Sequence, residues 1–436
     1  MKENTNNKRL NLIKWLSMIV VALAFFFVQF HRNTSGVMRD ELTAAFGMSL
    51  TSFGLFSSMY FYPYMLAQIP IGMLLDTLGV RKTIGISSLV AAIGAFVFGT
   101  SSVYPVACVG RVLIGIGVAA PVISTQKFLV SWVGSQKSAT YYGAFSFMGK
   151  LGGMVAQLPL AWLVSQFDWR TVFFLCASVS VVIALLCLFV AKDSPEEALQ
   201  GKQQGPAKEK TTFVSLLRAM GHVFANRYIW LIMVVMFLHQ GLYGLFSSTW
   251  AVPYLQDVFG MSTVEASSYT TCMLIGAMVF TVVAGMISDR LRSRKFVIAV
   301  VSIILTLVWF MLAFCGEFMM RTHLLWVVMF LMGSGGCAVQ IMFAYSREMN
   351  DPRYVGISVS VVNMVGMLGS AVFPTIFGAM LDGWSDLYSG AALYRAAFIP
   401  CIILSIVALV CTLLARETGC QNRYNELHGA GKGKGE

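Results

Sequence analysis

Three basic residues sit inside long apolar runs of this chain: Arg32, Arg111 and Lys150. On insertion scales each costs about 2.5–3.5 kcal/mol near the middle of a bilayer, so such a cation must face protein or water and is retained for a purpose. No Asp or Glu falls at comparable depth. Asp40 and Glu41 lie beyond the first run, while Asp257, Glu265, Glu317 and Asp382 lie at outer rims. A cationic interior without an internal counter-ion is completed by a bound anion. Lys150 is mid-run in Gly149-Lys150-Leu151-Gly152-Gly153 and shares a helical face with Ser146, Gly153 and Gln157. Arg32 lies late in its run, where snorkelling to the outer surface is the plainer use of the side chain.

Other polar groups recur at helical spacing. Tyr60, Tyr64 and Gln68 form an i, i+4, i+8 stripe whose polar tips need partners in hydrocarbon. His239 heads a stripe with Tyr243, Phe246 and Trp250 suited to lining a cavity, and Asn363 is a further polar candidate. His31 and His239 titrate near physiological pH in water and could carry a coupled proton, although a lone histidine in an apolar helix is more often hydrogen-bonded to a neighbour.

The elements that hold these residues follow from composition. The chain has 436 residues, 57% hydrophobic and 12% charged, with a mean hydropathy of +0.73. A soluble domain carries about 25% charged residues, so a water-soluble fold is excluded. Crossing a hydrocarbon core takes about 20 apolar residues. Runs of that kind cover 13–36, 51–75, 83–100, 105–130, 140–164, 170–191, 228–251, 265–288, 296–316, 324–346, 354–381 and 391–415. The first follows the basic head Lys2, Lys8, Arg9, Lys14 without a small-residue cleavage site and reads as a retained span. With the N-terminus inside, most of the 31 Lys and Arg residues fall in cytoplasmic segments. The net charge of +11 is therefore a topology signal and not a nucleic-acid footprint. Nine scattered cysteines show no metal-ligand spacing and imply no disulfide. No nucleophile–base constellation, phosphate-binding glycine loop or cofactor motif is visible, which argues against an enzyme or a fused ATPase.

One element occurs twice. Gly72-Met-Leu-Leu-Asp76-Thr-Leu-Gly79-Val-Arg81-Lys82 returns as Gly285-Met-Ile-Ser-Asp289-Arg-Leu-Arg292-Ser-Arg294-Lys295, each copy closing an apolar run. A repeat spaced by half the chain means two related halves. Asp76 and Asp289 can pair with Arg81, Arg294 or a neighbouring helix N-terminus, and a pair that forms in one conformation only would latch a gate. Gly72 and Gly285 are expected to allow close helix contact. Gly79 is answered by Arg292, so the second loop departs from the first.

The first copy resembles the signature between the second and third helices of the major facilitator superfamily. Arg111-Val-Leu-Ile-Gly115-Ile-Gly117 is similar to that family's fourth-helix motif, and Asp168-Trp169-Arg170 to the usual start of its sixth helix. The resemblance covers residues 12–416. A finer one is to the organic-anion and sugar-phosphate branch, the anion–cation symporters. It rests on Phe30-His31-Arg32, Ser58-x-Tyr60 through Gln68-Ile69-Pro70-x-Gly72, Trp250-x-x-Pro253-Tyr254-Leu255 and Asn363-Met-Val-Gly366-x-x-Gly369 with Pro374. It implies an anion-binding role for Arg32, while the resemblance to the fourth-helix motif implies a coupling or structural role for Arg111. Gly244 stands where the branch often has a second basic residue, which weighs against sugar phosphates. Lysine replaces the proline of the antiporter motif on helix five, which disfavours drug–proton antiport.

The expected fold is an all-α membrane protein, with twelve transmembrane helices in two six-helix bundles and cytoplasmic termini. Its parts are the bundle 1–191, a linker 192–227 with a surface helix, the bundle 228–416 and a disordered tail 417–436. The expected function is secondary active transport of a small organic anion by alternating access, coupled to a proton or cation, in the plasma (cell inner) membrane. Arg32, Lys150, Tyr60, Tyr64, His239, Trp250 and Asn363 are the expected substrate residues; Asp76, Arg81, Arg111, Asp289 and Arg294 are the expected gating or coupling residues. A monomer without cofactor or nucleic-acid partner is expected. Zwitterionic amino-acid derivatives or short peptides are the alternative cargo, and a non-transporting sensor is the alternative class.

Overall fold

A computed structural model describes residues 2–200, 213–424 and 426. Eleven helices are long and apolar enough to cross a membrane, and a bent pair supplies a twelfth. We label them α1 (Lys8–Arg32), α2 (Leu50–Leu78), α3 (Val80–Thr100), α4 (Tyr104–Gly134), α5 (Tyr141–Gln166), α6 (Trp169–Phe189), α7 (Arg227–Phe259), α8 (Thr263–Leu291), α9 (Arg294–Phe314), α10 (Leu324–Met349), α11 (Pro352–Trp384) and α12 (Gly390–Leu414). The bent pair is α2 with the short helix Arg39–Phe46, which meet at 110°. This short helix takes up Asp40 and Glu41, and Arg39 pairs with Asp40 at 2.8 Å. No strand occurs among the described residues, and the chain is an all-α membrane protein.

Local chemistry sets the helix ends. Ser262 and Ser293 accept the backbone amides of Glu265 and Phe296, capping α8 and α9. Gly134, at φ 76° and ψ 164°, breaks the run between α4 and α5. Large apolar side chains such as Ile93, Phe96, Leu307 and Ile403 are exposed on the helix exteriors, as a lipid-facing surface requires.

Contacts divide the chain into two units, residues 1–48 with 55–211 and residues 49–54 with 212–436. In the first, α1 packs on α5, α3 on α6 and α2 on α4. In the second, α7 packs on α11, α9 on α12 and α8 on α10. Adding six to each helix number converts one set into the other, so the eleven-residue repeat belongs to a repeated packing scheme. Backbone proximity drives the matching pairs. A Cβ on Gly152 of α5 would lie 2.0 Å from the Phe26 carbonyl oxygen of α1, and one on Gly369 of α11 would lie 2.2 Å from that of Phe237 on α7. Gly72 and Gly285 play no such part: a Cβ at either meets nothing within 4 Å. The expectation of close contact there is corrected.

Of the linker, Phe213–Ala225 is helical, and 201–212 lie outside the described residues. The start of the segment expected to be disordered is instead tied down. Arg423 donates its amide to the Glu348 carbonyl at 2.8 Å, and Asn422 donates to the carbonyls of Arg347 and Asn350. Residues 427–436 lie outside the described residues.

Candidate functional site

In the first unit the end of α1 gathers the basic chemistry. Arg111 of α4 is 1% exposed, and its guanidinium donates to the His31 carbonyl (3.1 Å), Thr34 Oγ1 (3.1 Å) and Ser35 Oγ (3.2 Å). It also lies over the rings of Phe56 and Tyr60, at 5.8 and 5.2 Å. The last carbonyls of a helix lack intrahelical donors and carry partial negative charge, so Arg111 closes the C-terminus of α1. Each hydrogen-bond partner is a neutral oxygen. Thr34 and Ser35 lie on the short helix Thr34–Val37, a part that spacing alone does not reveal. Gly115, one turn on from Arg111, has room only for hydrogen, since a Cβ would sit 2.4 Å from the Tyr60 carbonyl oxygen. Gly115 thus holds α4 against α2, while Gly117, where a Cβ would lie 2.3 Å from the Ala91 amide nitrogen, holds it against α3.

Arg32, the final residue of α1, is half-buried with its guanidinium 5.2 Å from the Phe61 ring centre. Tyr60 and Tyr64 lie within its electrostatic reach, and their rings stack at 5.9 Å. Tyr64 is 3% exposed and interacts with the Gln68 side chain. Tyr60 is 1% exposed, and its hydroxyl donates to the Val28 carbonyl at 2.9 Å. Lys150 is half-buried on α5, between Gly149 and Gly152, whose faces press on Phe25 and Phe26 of α1. The structure therefore brings Arg32, Tyr64 and Arg111 to one region and sets Lys150 on the helix packed against α1.

In the second unit the candidates do not converge on an open pocket. Trp250 is fully buried at the end of a π-helical turn, Phe246–Trp250, and donates Nε1–H to the Pro374 carbonyl at 3.1 Å. His239 is buried and bonded to Ser302 Oγ at 2.9 Å. It lines a void of about 10 Å³ with Tyr243, Leu305, Trp309, Met332 and Ser405, room for about one water and no organic substrate. Asn363 is half-buried on α11.

The repeated motif forms ion pairs, and in the first copy the partner differs from the one expected. Asp76 pairs with Lys127 at 2.9 Å and not with Arg81. Both ends of that pair are exposed, which makes it weak. Arg81 reaches Glu197 at 3.2 Å, while its backbone amide donates to Asp193. Asp289 does pair with Arg294, at 2.6 Å, and Arg294 also holds Glu348 at 2.9 Å. Glu417 accepts from Ser293 Oγ and from the amides of Arg294 (3.0 Å) and Lys295 (3.2 Å). The loops diverge in backbone too. Gly79 adopts φ 81°, ψ 174°, a region open essentially only to glycine, while Arg292 is left-handed at φ 49°, ψ 38°.

The chain belongs to the Major Facilitator Superfamily, whose description matches residues 21–269 and again 236–431. It is 24% identical over 428 residues to the probable galactarate/D-glucarate transporter GudP of Bacillus subtilis (strain 168), covering 91% of this chain and 92% of that one. It is 24% identical over 377 residues to the cis,cis-muconate transport protein of Acinetobacter baylyi, covering 84% and 88%. The probable sulfoacetate transporter SauU of Cupriavidus necator is 24% identical over 288 residues, 63% of this chain and 65% of that relative, so the chain spans just under two thirds of its length. Among solved structures, a bacterial homolog of the human lysosomal transporter Spinster, inward-facing and unoccupied, superposes with a TM-score of 0.70 at 18% identity, covering 92% of this chain and 97% of that one. The nucleoside transporter NupG gives 0.70 at 14% identity, covering 92% and 98%. Relatives and fold neighbours are transporters and not enzymes, and the chain is a multi-pass membrane transporter.

Proposed function

We propose that this protein moves a small organic anion across the plasma (inner) membrane by alternating access, coupled to a proton or cation, with both termini cytoplasmic. The observation that carries this is the state of the two arginines where α1 ends. Arg111 is buried among neutral oxygens, and Arg32 beside it rests on an aromatic face. An uncompensated cationic region in a low-dielectric interior favours an anion. Three similar proteins bear the names of transporters of galactarate or D-glucarate, muconate and sulfoacetate, all organic anions. Arg32 and Lys150 supply the charge in this reading, with Tyr64 as a hydrogen-bonding wall.

The test is uptake of radiolabelled galactarate, cis,cis-muconate and sulfoacetate into proteoliposomes, with a dipeptide as control. Saturable uptake of at least one anion is expected, falling tenfold or more in Arg32→Ala. Dipeptide uptake alone, or anion uptake untouched by both Arg32→Ala and Lys150→Ala, overturns the reading.

A further inference from the structure

In the second unit, His239 is an ionisable side chain held deep in the membrane without an ionic partner among the described residues. It lies twelve residues into α7, about 18 Å along a helix that must cross a core of about 30 Å. An ionisable residue at that depth marks a functional site by default. Ser302 Oγ lies 2.8 Å from the Ile298 carbonyl oxygen, to which it can donate, and 2.9 Å from His239 Nε2. An Nε2–H tautomer satisfies both contacts and leaves the lone pair of the neutral ring on Nδ1. That Nδ1 is buried and has no partner. The same ring borders the void of about 10 Å³ with the hydroxyl-bearing residues Tyr243 and Ser405.

We propose that His239 Nδ1 is the proton-binding site of the transport cycle, served by a single water in that void; this rests on the anion reading. A proton taken from the aqueous phase on one side binds the Nδ1 lone pair, and the same proton leaves to the other side, with no other bond made or broken. Both ring nitrogens donate in the charged form, Nε2 to Ser302 and Nδ1 to the water. Tyr243 is the titratable neighbour on α7. The charged groups of α7 and of the helices packed on it sit at their ends: Arg227 and Asp257 on α7, Arg294 and Lys295 on α9, Arg347 and Glu348 on α10, Arg353 and Asp382 on α11 and Arg395 on α12. The buried thiols of Cys337 and Cys401 belong to the same helices. Among the described residues no carboxylate pairs with the ring, and in this reading proton and anion bind in the same cycle.

Two measurements test this, one needing no substrate. In solid-state NMR of the full-length protein in lipid, labelled with ¹⁵N-histidine, the signal missing from His239→Gln identifies the residue. It is expected to show an unprotonated Nδ1 at pH 8 that becomes protonated on acidification to pH 5 in the presence of galactarate, cis,cis-muconate or sulfoacetate. An Nδ1–H tautomer at pH 8, or a ring unchanged across this range with and without the anions, overturns the proposal. In proteoliposomes, His239→Gln is expected to lower the ratio of pH-gradient-driven accumulation to anion counterflow tenfold or more. Gradient-driven accumulation equal to wild type also overturns it. Absence of counterflow in the wild type would sink the anion reading instead, leaving the spectrum to decide the proton site. Should His239→Gln fail to fold, Ser302→Ala retains the imidazole without its tautomer-fixing acceptor; a threefold or larger fall in the ratio of accumulation to counterflow is expected, and an unchanged ratio counts against the site.

Discussion

The Asp193 carboxylate accepts the backbone amide of Arg81 at 2.7 Å, four residues after the sixth membrane helix ends. Glu417, three residues beyond the twelfth, does the same for Arg294 at 3.0 Å. In each half, an acid following the last helix caps the N-terminus of the third, beside the arginine of the repeated motif. A carboxylate there satisfies orphan amides and meets the positive end of the helix dipole.

Removing such a cap has a known scale. Glu417→Ala is expected to destabilise the second unit by about 0.5–2 kcal/mol. The check is the melting temperature of the purified full-length protein in detergent; an unchanged value would mean the cap is idle.

The two caps should respond oppositely to pH. Burial pushes Glu417 up, but hydrogen bonds from Ser293 and from the amides of Gly419, Arg294 and Thr418 outweigh it and hold the carboxyl below its ordinary range. Its stabilisation is present above the ordinary value of 4.5 and is lost as pH falls through the folded value. Asp193 is pushed above its ordinary 3.8 by burial, with Glu197 adding to it against the amide and charge of Arg81. Its ionised form costs stability as pH rises through the folded value. Thus Glu417→Gln should lower the melting temperature at pH 7 and Asp193→Asn should raise it. Both differences should shrink on acidification.

Glycine substitutions separate contact from sequence pattern. Gly152→Ala drives a methyl onto the Phe26 carbonyl and is expected to cost about 1–3 kcal/mol. Gly72→Ala meets open space inside a helix and is expected to gain about 0.5–1 kcal/mol, despite lying in the repeated motif. Melting curves in detergent decide; equal losses would contradict the packing described.

Arg111→Lys keeps the charge but gives up the planar fork that reaches three oxygens. A lower melting temperature and anion counterflow reduced tenfold or more are expected. Wild-type behaviour in both assays would remove Arg111 from the α1 terminus as a functional support.

Much of the fold is legible in the sequence because its signals are one-dimensional. Apolar length places the helices, and the spacing from Asp76 to Asp289 announces two related halves. Tertiary satisfaction of polar groups is not legible. Tyr60 and Trp250 look like ligands on a helical stripe, yet each spends its polar atom on a distant backbone carbonyl, Val28 or Pro374. Spacing pairs Asp76 within its own loop, but Lys127 comes from a chain segment 51 residues away. Thr34 and Ser35 give no sign of holding Arg111, because their short helix carries no periodicity long enough to read.

The cage around Arg111 also bears on how the protein is made. His31, Thr34 and Ser35 precede Arg111 by 76 to 80 residues, so the ribosome has already delivered them when the arginine emerges. Left exposed to lipid, α4 would carry a penalty of about 2.5–3.5 kcal/mol at mid-bilayer. In the folded chain the end of α1 offsets that penalty with three hydrogen bonds. Order of synthesis thus places every hydrogen-bond partner of the Arg111 guanidinium ahead of it in the growing chain.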